Sequence, residues 1–348
     1  MTFEEARTLF PVLERIAYLN AGTFGPLAQP TLDAMLAELG ADGERGRLGG
    51  EYFERVLGLR EQLRARLAAL VGVDTGQVTL TSSTTDGCNI VAAGLGLGPG
   101  DEIVTTSEEH PGLVLPLHAT GARVVVAEPD AEAIAAAVTP RTRLVALSHV
   151  LWTTGRVLPV HELKQRTGLP ILVDGAQAVG AIPVDARGLD FYTVSGQKWL
   201  CGPDATGALV VADPEALRVA HPSYFAQTAF RPDGSFDARD GAARFDPSWL
   251  SAASLSGLLA ALDVPPEGSY ERAAEQARRC RELLHARVEL VAGDATLVSF
   301  RTAEPTDLVA RLAAADVAVR EIPGTGLVRV SCGWWTSDGD LERLVAAL

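Results

Sequence analysis

The feature that most constrains the fold is a pattern repeated between residues 77 and 212: a short apolar run rich in β-branched residues, then a turn, then a helix-like stretch. This alternation is typical of an α/β protein, in which helices join parallel strands. It predicts seven strands, at residues 77–81, 102–106, 123–127, 143–148, 170–174, 190–195 and 207–211. We therefore expect one wide, mostly parallel sheet covered by helices, with a short last connection that also permits an antiparallel final strand.

Two of these runs, Val124-Val125-Val126 and Ile171-Leu172-Val173, have no alternating polar residues. Such runs predict strands that are buried on both faces. Before the sheet, residues 51–70 place apolar side chains three and four positions apart, which is the period of an amphipathic helix that packs on the sheet. These positions are Phe53, Val56, Leu59, Leu63, Leu67 and Leu70.

A chain of 348 residues is longer than one hydrophobic core usually serves, so we expect a large domain and a smaller one. We predict an N-terminal segment at 1–17 that packs with the small domain, a large domain at 18–247 and a small C-terminal α/β domain at 248–348. Residues 225–247 are rich in Gly, Asp, Arg and Pro, which predicts an irregular connection. The elements predicted in the small domain cover residues 270–286, 296–301, 306–315, 318–321, 327–331 and 338–347.

The charge balance restricts the partners of this protein. Lys and Arg total 30 and Asp and Glu total 44, which gives a net charge of −14. A surface of this sign repels phosphate backbones and anionic lipids, so we expect no nucleic acid and no membrane partner. A few arginines in one pocket can still attract a small anionic substrate.

The four cysteines lie far apart without a Cys-x-x-Cys pair, which argues against a zinc site or a disulfide framework. The N-terminus carries Glu4 and Glu5 where a signal peptide carries positive charge, and no apolar run approaches the ~18 residues of a membrane span. These features predict a cytoplasmic protein with no metal.

Polar residues follow several of the predicted strands, at the edge of a parallel sheet where ligands usually bind. They are Thr84-Thr85-Asp86, His110, Asp174-x-x-Gln177 and Ser195-Gly196-Gln197-Lys198. Together they supply donors at a helix start, an aromatic side chain, a buried carboxylate and an amine. A cofactor with a phosphate, a ring cation and an aldehyde needs these groups, and pyridoxal phosphate (PLP) has all three features.

Each group has a functional and a structural interpretation. The hydroxyls near Thr85 suit phosphate at a helix N-terminus, although they are also ordinary helix caps. Asp174 ends an apolar strand, where a carboxylate needs a cation such as a protonated pyridine nitrogen, unless it only caps the next turn. Gln177 can hydrogen-bond the phenolic oxygen of the ring.

Lys198 lies between Gln197 and Trp199, an unusual place for a solvated lysine. A Schiff base explains it better, because burial beside a cationic ring lowers the pKa of a lysine toward the neutral amine. The freed amine is then a general base for the Cα proton. His110 can stack on the ring and move protons, or be structural. Arg329 can bind a carboxylate through two hydrogen bonds, or be a surface-strand arginine.

These residues, in this order, resemble the class V aminotransferase family of fold type I PLP enzymes, which includes cysteine desulfurases, isopenicillin-N-epimerase-like proteins and C–S lyases. The resemblance covers nearly the whole chain. It includes Tyr18-Leu19-Asn20-Ala21-Gly22, Thr84-Thr85-Asp86-Gly87-Cys88-Asn89, Glu109-His110, Val173-Asp174-Gly175-Ala176-Gln177, Ser195-Gly196-Gln197-Lys198-Trp199 and Val328-Arg329-Val330-Ser331.

The resemblance implies a role for each residue. Lys198 is the Schiff-base lysine, Asp174 the pyridine partner, Gln177 the O3′ ligand and His110 the ring stacker. The phosphate ligands are Thr84, Thr85, Ser195 and Gln197, and the substrate is bound by Ala21, Gly22, Asn89 and Arg329. Family members are homodimers with active sites at the interface, and Ser248 is a candidate to reach the partner's phosphate.

Two departures separate this chain from the desulfurases. Gln197 stands where many desulfurases have histidine, and residues 319–327 contain no cysteine where a desulfurase carries a persulfide cysteine on a longer loop. Cys332 is placed on or after a strand. We therefore predict Cα deprotonation and β-elimination with C–S bond cleavage, with aminotransferase or amino-acid epimerase activity as the alternative and cysteine desulfurase activity after those. A non-catalytic relative would be expected to lack Lys198 or Asp174, and both are present.

Overall fold

The computed structural model describes residues 1–348. Its α-helices are α1 (Phe3–Thr8), α2 (Gln29–Arg45), α3 (Gly49–Val71), α4 (Thr84–Gly94), α5 (Pro111–Ala119), α6 (Ala131–Ala136), α7 (Val160–Thr167), α8 (Ala252–Ala261), α9 (Ser269–His285), α10 (Pro305–Ala314) and α11 (Asp338–Ala347). Its strands are β1 (Ala17–Tyr18), β2 (Val78–Thr81), β3 (Glu102–Thr106), β4 (Arg123–Ala127), β5 (Thr142–Ser148), β6 (Ile171–Asp174), β7 (Phe191–Ser195), β8 (Gly207–Val211), β9 (Gln227–Phe230), β10 (Phe236–Ala238), β11 (Glu289–Leu290), β12 (Leu297–Arg301), β13 (Val317–Ala318), β14 (Arg320–Ile322) and β15 (Leu327–Ser331).

The seven predicted strands form one sheet in the order β2-β8-β7-β6-β5-β3-β4. Strand β8 runs antiparallel to both of its neighbours, and the other pairs are parallel. The expected α/β fold with a mostly parallel seven-stranded sheet is confirmed, and each predicted strand end lies within one residue of the observed one. The carboxyl ends of β3, β5, β6 and β7 therefore meet at one edge, where a ligand site is expected.

The two apolar runs have different surroundings. All residues of β6 are buried, as predicted, because β5 and β7 flank it. The same prediction is wrong for Val124-Val125-Val126, since β4 is an edge strand paired only with β3 and Val126 is 58% exposed. Sequence periodicity does not show which strand lies at the edge of a sheet.

The predicted amphipathic helix is α3, and it buries Val56, Leu63 and Leu67 in the core of the large sheet. Helix α8 packs into the same core through Leu255 and Leu258. The change from the large core to the small one thus comes after α8 and not at the expected boundary of 247/248, because the apolar residues of α8 are covered by the large sheet. Residues 225–247, expected to be irregular, contain the short antiparallel pair β9–β10.

The C-terminal residues form a second, antiparallel sheet in the order β11-β12-β15-β14, with a core of its own. The N-terminal segment joins this part of the molecule. Phe10 packs against Trp334 and Trp335 with ring centroids 5.7 and 6.1 Å apart, and β1 pairs with β13. None of the helices combines the length and the apolar character that a membrane crossing requires.

Candidate active site

A cavity of about 220 Å³ lies between the carboxyl edge of the large sheet, residues 22–24 and the C-terminal sheet. Its lining comes from residues far apart in sequence. They are Gly22, Thr23, Phe24, Ser83, Thr84, Thr85, His110, Trp152, Gln177, Gln197, Lys198, Arg320 and Arg329. Most of the predicted site residues therefore meet at one place.

Lys198 follows β7 and lines the cavity, and its amine makes no hydrogen bond and no salt bridge within the protein. Burial lowers the pKa of Lys198 to about 8, an effect that Asp174 opposes and Arg329 and Arg320 reinforce. A lysine with this pKa is partly neutral near pH 8, which attack on a carbonyl carbon requires. The surroundings of Lys198 thus favour a nucleophilic amine.

Asp174 is the last residue of β6 and is 3% exposed. One carboxylate oxygen accepts hydrogen bonds from the Ala176 amide at 2.9 Å and the Thr193 hydroxyl at 3.1 Å. No lysine or arginine forms a salt bridge with it. A buried carboxylate without a protein cation is a suitable partner for a cation that enters with a ligand.

The start of α4 supplies hydrogen-bond donors to the cavity. Ser83 caps the helix by accepting from the Asp86 amide at 3.1 Å, and Thr84 and Thr85 are its first two residues. Across the cavity, the Ser195 hydroxyl donates to Oε1 of Gln197 at 2.9 Å, and the amide nitrogen of Gln197 has no partner within the protein. Backbone amides at a helix start and uncommitted side-chain donors suit an anion such as phosphate.

His110 caps the N-terminus of α5, because its Nδ1 accepts from the Gly112 amide at 3.0 Å. The neutral ring therefore carries its proton on Nε2. Trp152 packs edge-on to the His110 ring with a centroid distance of 4.9 Å. Burial, and next the charge of Lys198, lower the pKa of His110, so the ring favours the neutral form.

Gln177 joins two parts of the chain that line the cavity. Its Nε2 donates to the Gly22 carbonyl at 2.8 Å, and its Oε1 accepts from Nε1 of Trp199 at 2.9 Å. A Cβ atom at position 22 would lie 2.7 Å from Nη2 of Arg329, so glycine lets the main chain pass this close. The main chain around Gly22 is thereby held against the site.

Arg329 and Arg320 place two cations at the cavity. Arg329 is 1% exposed and donates to the Trp152 carbonyl at 2.8 Å and the Thr23 hydroxyl at 3.4 Å, while its Nε has no partner. Arg320 lies opposite Arg329 on β14 and donates to Thr23 at 3.0 Å. Neither forms a salt bridge, and burial, with the neighbouring Arg320, lowers the pKa of Arg329 to about 9. Two arginines without an anion point to an anionic ligand.

Some predicted residues lie outside the cavity lining. Asp174, Ser195 and Ala21 are buried behind it, whereas Asn89 is exposed on α4 and donates to the Thr85 carbonyl at 3.0 Å. Ser248 is exposed too, and its carbonyl accepts from Arg60 at 2.9 Å. The structure does not bring Asn89 or Ser248 into this cavity.

Sequence reasoning did not select five of the lining residues: Thr23, Phe24, Ser83, Trp152 and Arg320. A signal for Arg320 was available, since two predicted short strands joined by a tight Pro-Gly turn place residue 320 across from Arg329. Ser83 directly precedes the helix that begins at Thr84, so it could have been selected as the N-cap. For Thr23, Phe24 and Trp152 the sequence offered no comparable signal, because each lies in a turn or loop whose path depends on tertiary contacts.

The cysteines do not line the cavity, and all four are free and buried. Cys332 lies in the core of the C-terminal sheet, where its neighbour Cys280 and burial raise the pKa of its thiol well above the ordinary value. No group of three His, Cys, Asp or Glu side chains is arranged to hold a metal ion.

The groups at the cavity fit pyridoxal phosphate. The start of α4 and Gln197 offer donors for a phosphate, Asp174 is a buried carboxylate without a protein cation, and Lys198 is an amine without a partner. The unpaired Nε of Arg329 remains for the carboxylate of an amino acid. When bound, PLP would be held by these residues at the carboxyl edge of the sheet.

Comparisons with known proteins agree with this fit. The family model described as Aminotransferase class-V matches residues 18–335. Isopenicillin N epimerase from Streptomyces clavuligerus is 29% identical, over 99% of this chain and 97% of that protein. A probable cysteine desulfurase from Methanothermobacter thermautotrophicus is 29% identical, over 84% of this chain and 77% of that protein.

Solved structures of the protein C-DES are similar over almost the whole chain. A C-DES mutant with glycine covalently linked to the PLP cofactor has a TM-score of 0.91 and 29% identity, and covers 98% of both chains. The complex of the cystine C–S lyase C-DES with its reaction product cysteine persulfide has a TM-score of 0.90 and 30% identity, and covers 97% of this chain and 98% of the other.

Proposed function

We propose, from the premise that this chain belongs to the class V aminotransferase family and is a PLP-dependent enzyme, that it cleaves a carbon–sulfur bond of an amino acid by β-elimination. The observation that carries this proposal is the set of groups at the cavity: a lysine without a partner, two arginines without a salt bridge and no cysteine. The lysine provides a base, the arginines select an anionic amino acid, and without a thiol a protein persulfide has no place to form.

PLP, when bound, supplies an electron sink that makes the Cα proton of an amino acid acidic. In the proposed mechanism Nζ of Lys198 takes that proton. The electron pair released at Cα then forms the Cα–Cβ double bond as the Cβ–S bond breaks, and the sulfur leaves with the pair from that bond. Nε2 of His110, which carries the ring proton, is placed to give a proton within the site.

In the proposed mechanism the other residues bind and orient the cofactor and the substrate. Asp174 keeps the ring nitrogen protonated, and Gln177 has one amide hydrogen beyond its bond to Gly22 for the ring oxygen. Thr84, Thr85, Ser195 and Gln197, which surround the start of α4, would hold the phosphate. The guanidinium of Arg329 binds the α-carboxylate through parallel hydrogen bonds.

Arg320 extends the proposal to the substrate class. It lies beside Arg329 without an anionic partner, so the site can neutralise a second carboxylate. Cystine has two carboxylates and a sulfur leaving group, and C-DES is a cystine C–S lyase. We therefore propose cystine, or an amino acid of similar charge, as the substrate.

The test is product analysis with purified, PLP-loaded protein. Cystine should give pyruvate, ammonia and a persulfide in equal amounts. Pyridoxamine phosphate would instead indicate transamination, and inversion at Cα without loss of sulfur would indicate epimerisation. Either result, without pyruvate, would contradict the proposal.

A pair of variants tests the second carboxylate. Arg320→Ala should lower kcat/KM for cystine about tenfold or more, since one charge-assisted contact contributes about 1.5–3 kcal/mol. The same variant should change kcat/KM far less for S-methylcysteine sulfoxide, which has a single carboxylate. Equal losses of kcat/KM on both substrates would show that Arg320 does not bind the second carboxylate.

We also propose that the chain forms a homodimer. Large apolar side chains are exposed around α2 and α3, with Leu36, Leu39, Leu48 and Trp249 between 48% and 74% exposed. Apolar surface of this kind often marks an interface between chains. Light scattering should give twice the chain mass of 36.6 kDa, and a monomer at micromolar concentration would contradict this.

A further inference from the structure

Glu109, the residue before His110, has no role in the proposed mechanism, and its environment is unusual. Glu109 is 9% exposed, yet it forms no salt bridge. Its Oε1 accepts from the Thr106 hydroxyl at 2.7 Å, and its Oε2 accepts from the amide and the hydroxyl of Ser148 at 3.0 and 2.5 Å. A buried carboxylate satisfied only by neutral donors is uncommon, because such donors offset the loss of hydration less than a cation does.

The partners of Glu109 are the last residues of two neighbouring strands. Thr106 ends β3 and Ser148 ends β5, and these strands are paired in the sheet. On its other side Ser148 is in register with Asp174 on β6. Glu109 therefore connects the strand that leads into His110 with the strand beside Asp174.

We propose that Glu109 is a positioning residue, whose carboxyl group joins the ends of β3 and β5 and so holds His110 and Asp174 in place around the cofactor. His110 follows directly in the chain, and its ring position is set by the turn that Glu109 anchors and by its own cap on α5. This inference rests on the proposed roles of His110 and Asp174 in binding PLP, and it is independent of the substrate.

The charge around Glu109 is consistent with this function. Burial raises the pKa of Glu109 to about 7, the hydrogen bonds from Ser148 and Thr106 oppose the rise, and Asp174 adds to it. Cys88 on α4 faces the same two carboxylates, and its own pKa is raised well above the ordinary value, first by burial. A neutral side chain that accepts a hydrogen bond from the Ser148 amide can thus replace Glu109 in this positioning role.

The chain contains a matched control at the opposite end of β3. Glu102 is 1% exposed and is also bound by several groups, among them Thr139 and Arg141. It lies at the amino end of the strand, away from the cavity. Removal of Glu102 or Glu109 deletes one buried carboxylate, at the start of β3 or in the turn that follows it, but only Glu109 lies next to the proposed cofactor site.

The experiment compares Glu109→Ala, Glu109→Gln and Glu102→Ala in the PLP-loaded protein. Visible circular dichroism reports the asymmetry around bound PLP, and steady-state kinetics separates kcat from KM. Glu109→Ala should change the visible dichroism and lower kcat about tenfold or more, since small misplacements of catalytic groups have effects of this size. Glu109→Gln keeps the length and one acceptor and should restore most of both signals, whereas Glu102→Ala should lower the melting temperature without a spectral change.

An unchanged visible spectrum and kcat in folded Glu109→Ala, or equal spectral effects of Glu109→Ala and Glu102→Ala, would overturn the inference. Should Glu109→Ala fail to fold, Glu109→Asp serves in its place, because the shorter side chain cannot reach both Thr106 and Ser148. The spectral measurement needs no substrate, so it separates failure of this inference from failure of the proposed lyase activity.

Discussion

The chain contains only two lysines, and their surroundings contrast. Lys164 donates to the carboxylate of Asp190 at 2.7 Å and to the Leu169 carbonyl at 3.0 Å, so its charge is matched. Lys198 has no partner and lines the cavity. At the scale of single residues, the absence of a partner supports the proposed role of Lys198 more directly than its burial does.

We predict that PLP is linked to Lys198. After borohydride reduction and denaturation, the wild-type protein and Lys164→Ala should retain about one PLP per chain, and Lys198→Ala should retain none, because the reduced linkage needs this amine. Peptide mass spectrometry locates the adduct. A full-stoichiometry adduct in Lys198→Ala would show that another amine holds the cofactor.

The environment of Glu109 also predicts how the stability of the fold depends on pH. Its folded-state pKa of about 7 lies above the ordinary value of 4.5, so the folded protein binds the proton more tightly than the unfolded chain. Protonated Glu109 therefore stabilises the folded protein below pH 4.5, and this contribution to the free energy of unfolding is lost as the pH rises to about 7. The contribution is on the order of 3 kcal/mol in total.

Glu109→Gln cannot titrate, so the wild type should lose unfolding free energy relative to this variant as the pH rises from 4.5 to 7. Urea unfolding at several pH values measures the difference. Parallel pH dependence in the two proteins would mean that Glu109 is already ionised throughout this range.

At the scale of elements, the segment between β7 and β8 carries an unusual backbone. Cys201 and Ala205 have left-handed φ angles of 53° and 58°, three and seven residues after Lys198. The segment is closed by bonds from the Gly196 amide to the Thr206 carbonyl and from the Gly202 amide to the Gly196 carbonyl. Strain of this kind often accompanies functional sites, and here it lies in the turn that presents Lys198.

We predict that Ala205→Gly leaves the stability unchanged or raises it by up to about 1 kcal/mol, because glycine removes the strain of a left-handed alanine and so offsets its greater loss of chain entropy. Ala205 is exposed, so no packing is lost. The control Ala313→Gly, at an exposed position of α10, should lower the stability by about 1 kcal/mol. Thermal denaturation compares them, and equal losses would show that position 205 is not strained.

At the scale of the whole molecule, the cysteines are distributed among separate cores. Cys88 lies in the core on one face of the large sheet, Cys201 in the core that contains the N-terminal segment, and Cys280 and Cys332 in the core of the C-terminal sheet. In this arrangement all four thiols are buried, and none of them lines the cavity. Persulfide transfer needs a thiolate on a segment that can reach the substrate sulfur.

We predict that replacing all four cysteines with alanine leaves kcat for β-elimination within about fivefold of wild type, since these thiols serve packing and not catalysis. Mass spectrometry after turnover should detect no persulfide on the wild-type protein. Loss of turnover in Cys332→Ala alone, with PLP still bound and a persulfide on Cys332 of the parent, would favour the desulfurase alternative.

The sequence alone determined the strands of the large sheet and the residue types at their carboxyl ends. Hydrophobic runs, turn residues and the 3.6-residue period are local signals, so the α/β class, α3 and the β6–Asp174 junction could be predicted before any tertiary contact was known. The gathering of Lys198, Gln177 and His110 followed as well, because the carboxyl ends of parallel strands share one edge.

Only the tertiary structure decided which strand was at the edge and which side chains shared a pocket. The exposure of β4, the assignment of α8 to the large core and the outward position of Asn89 depend on neighbours distant in sequence. The same is true of Arg320 beside Arg329 and of Glu109 between two strand ends. Burial and the absence of a charge partner are properties of a site's full surroundings, and no local pattern contains them.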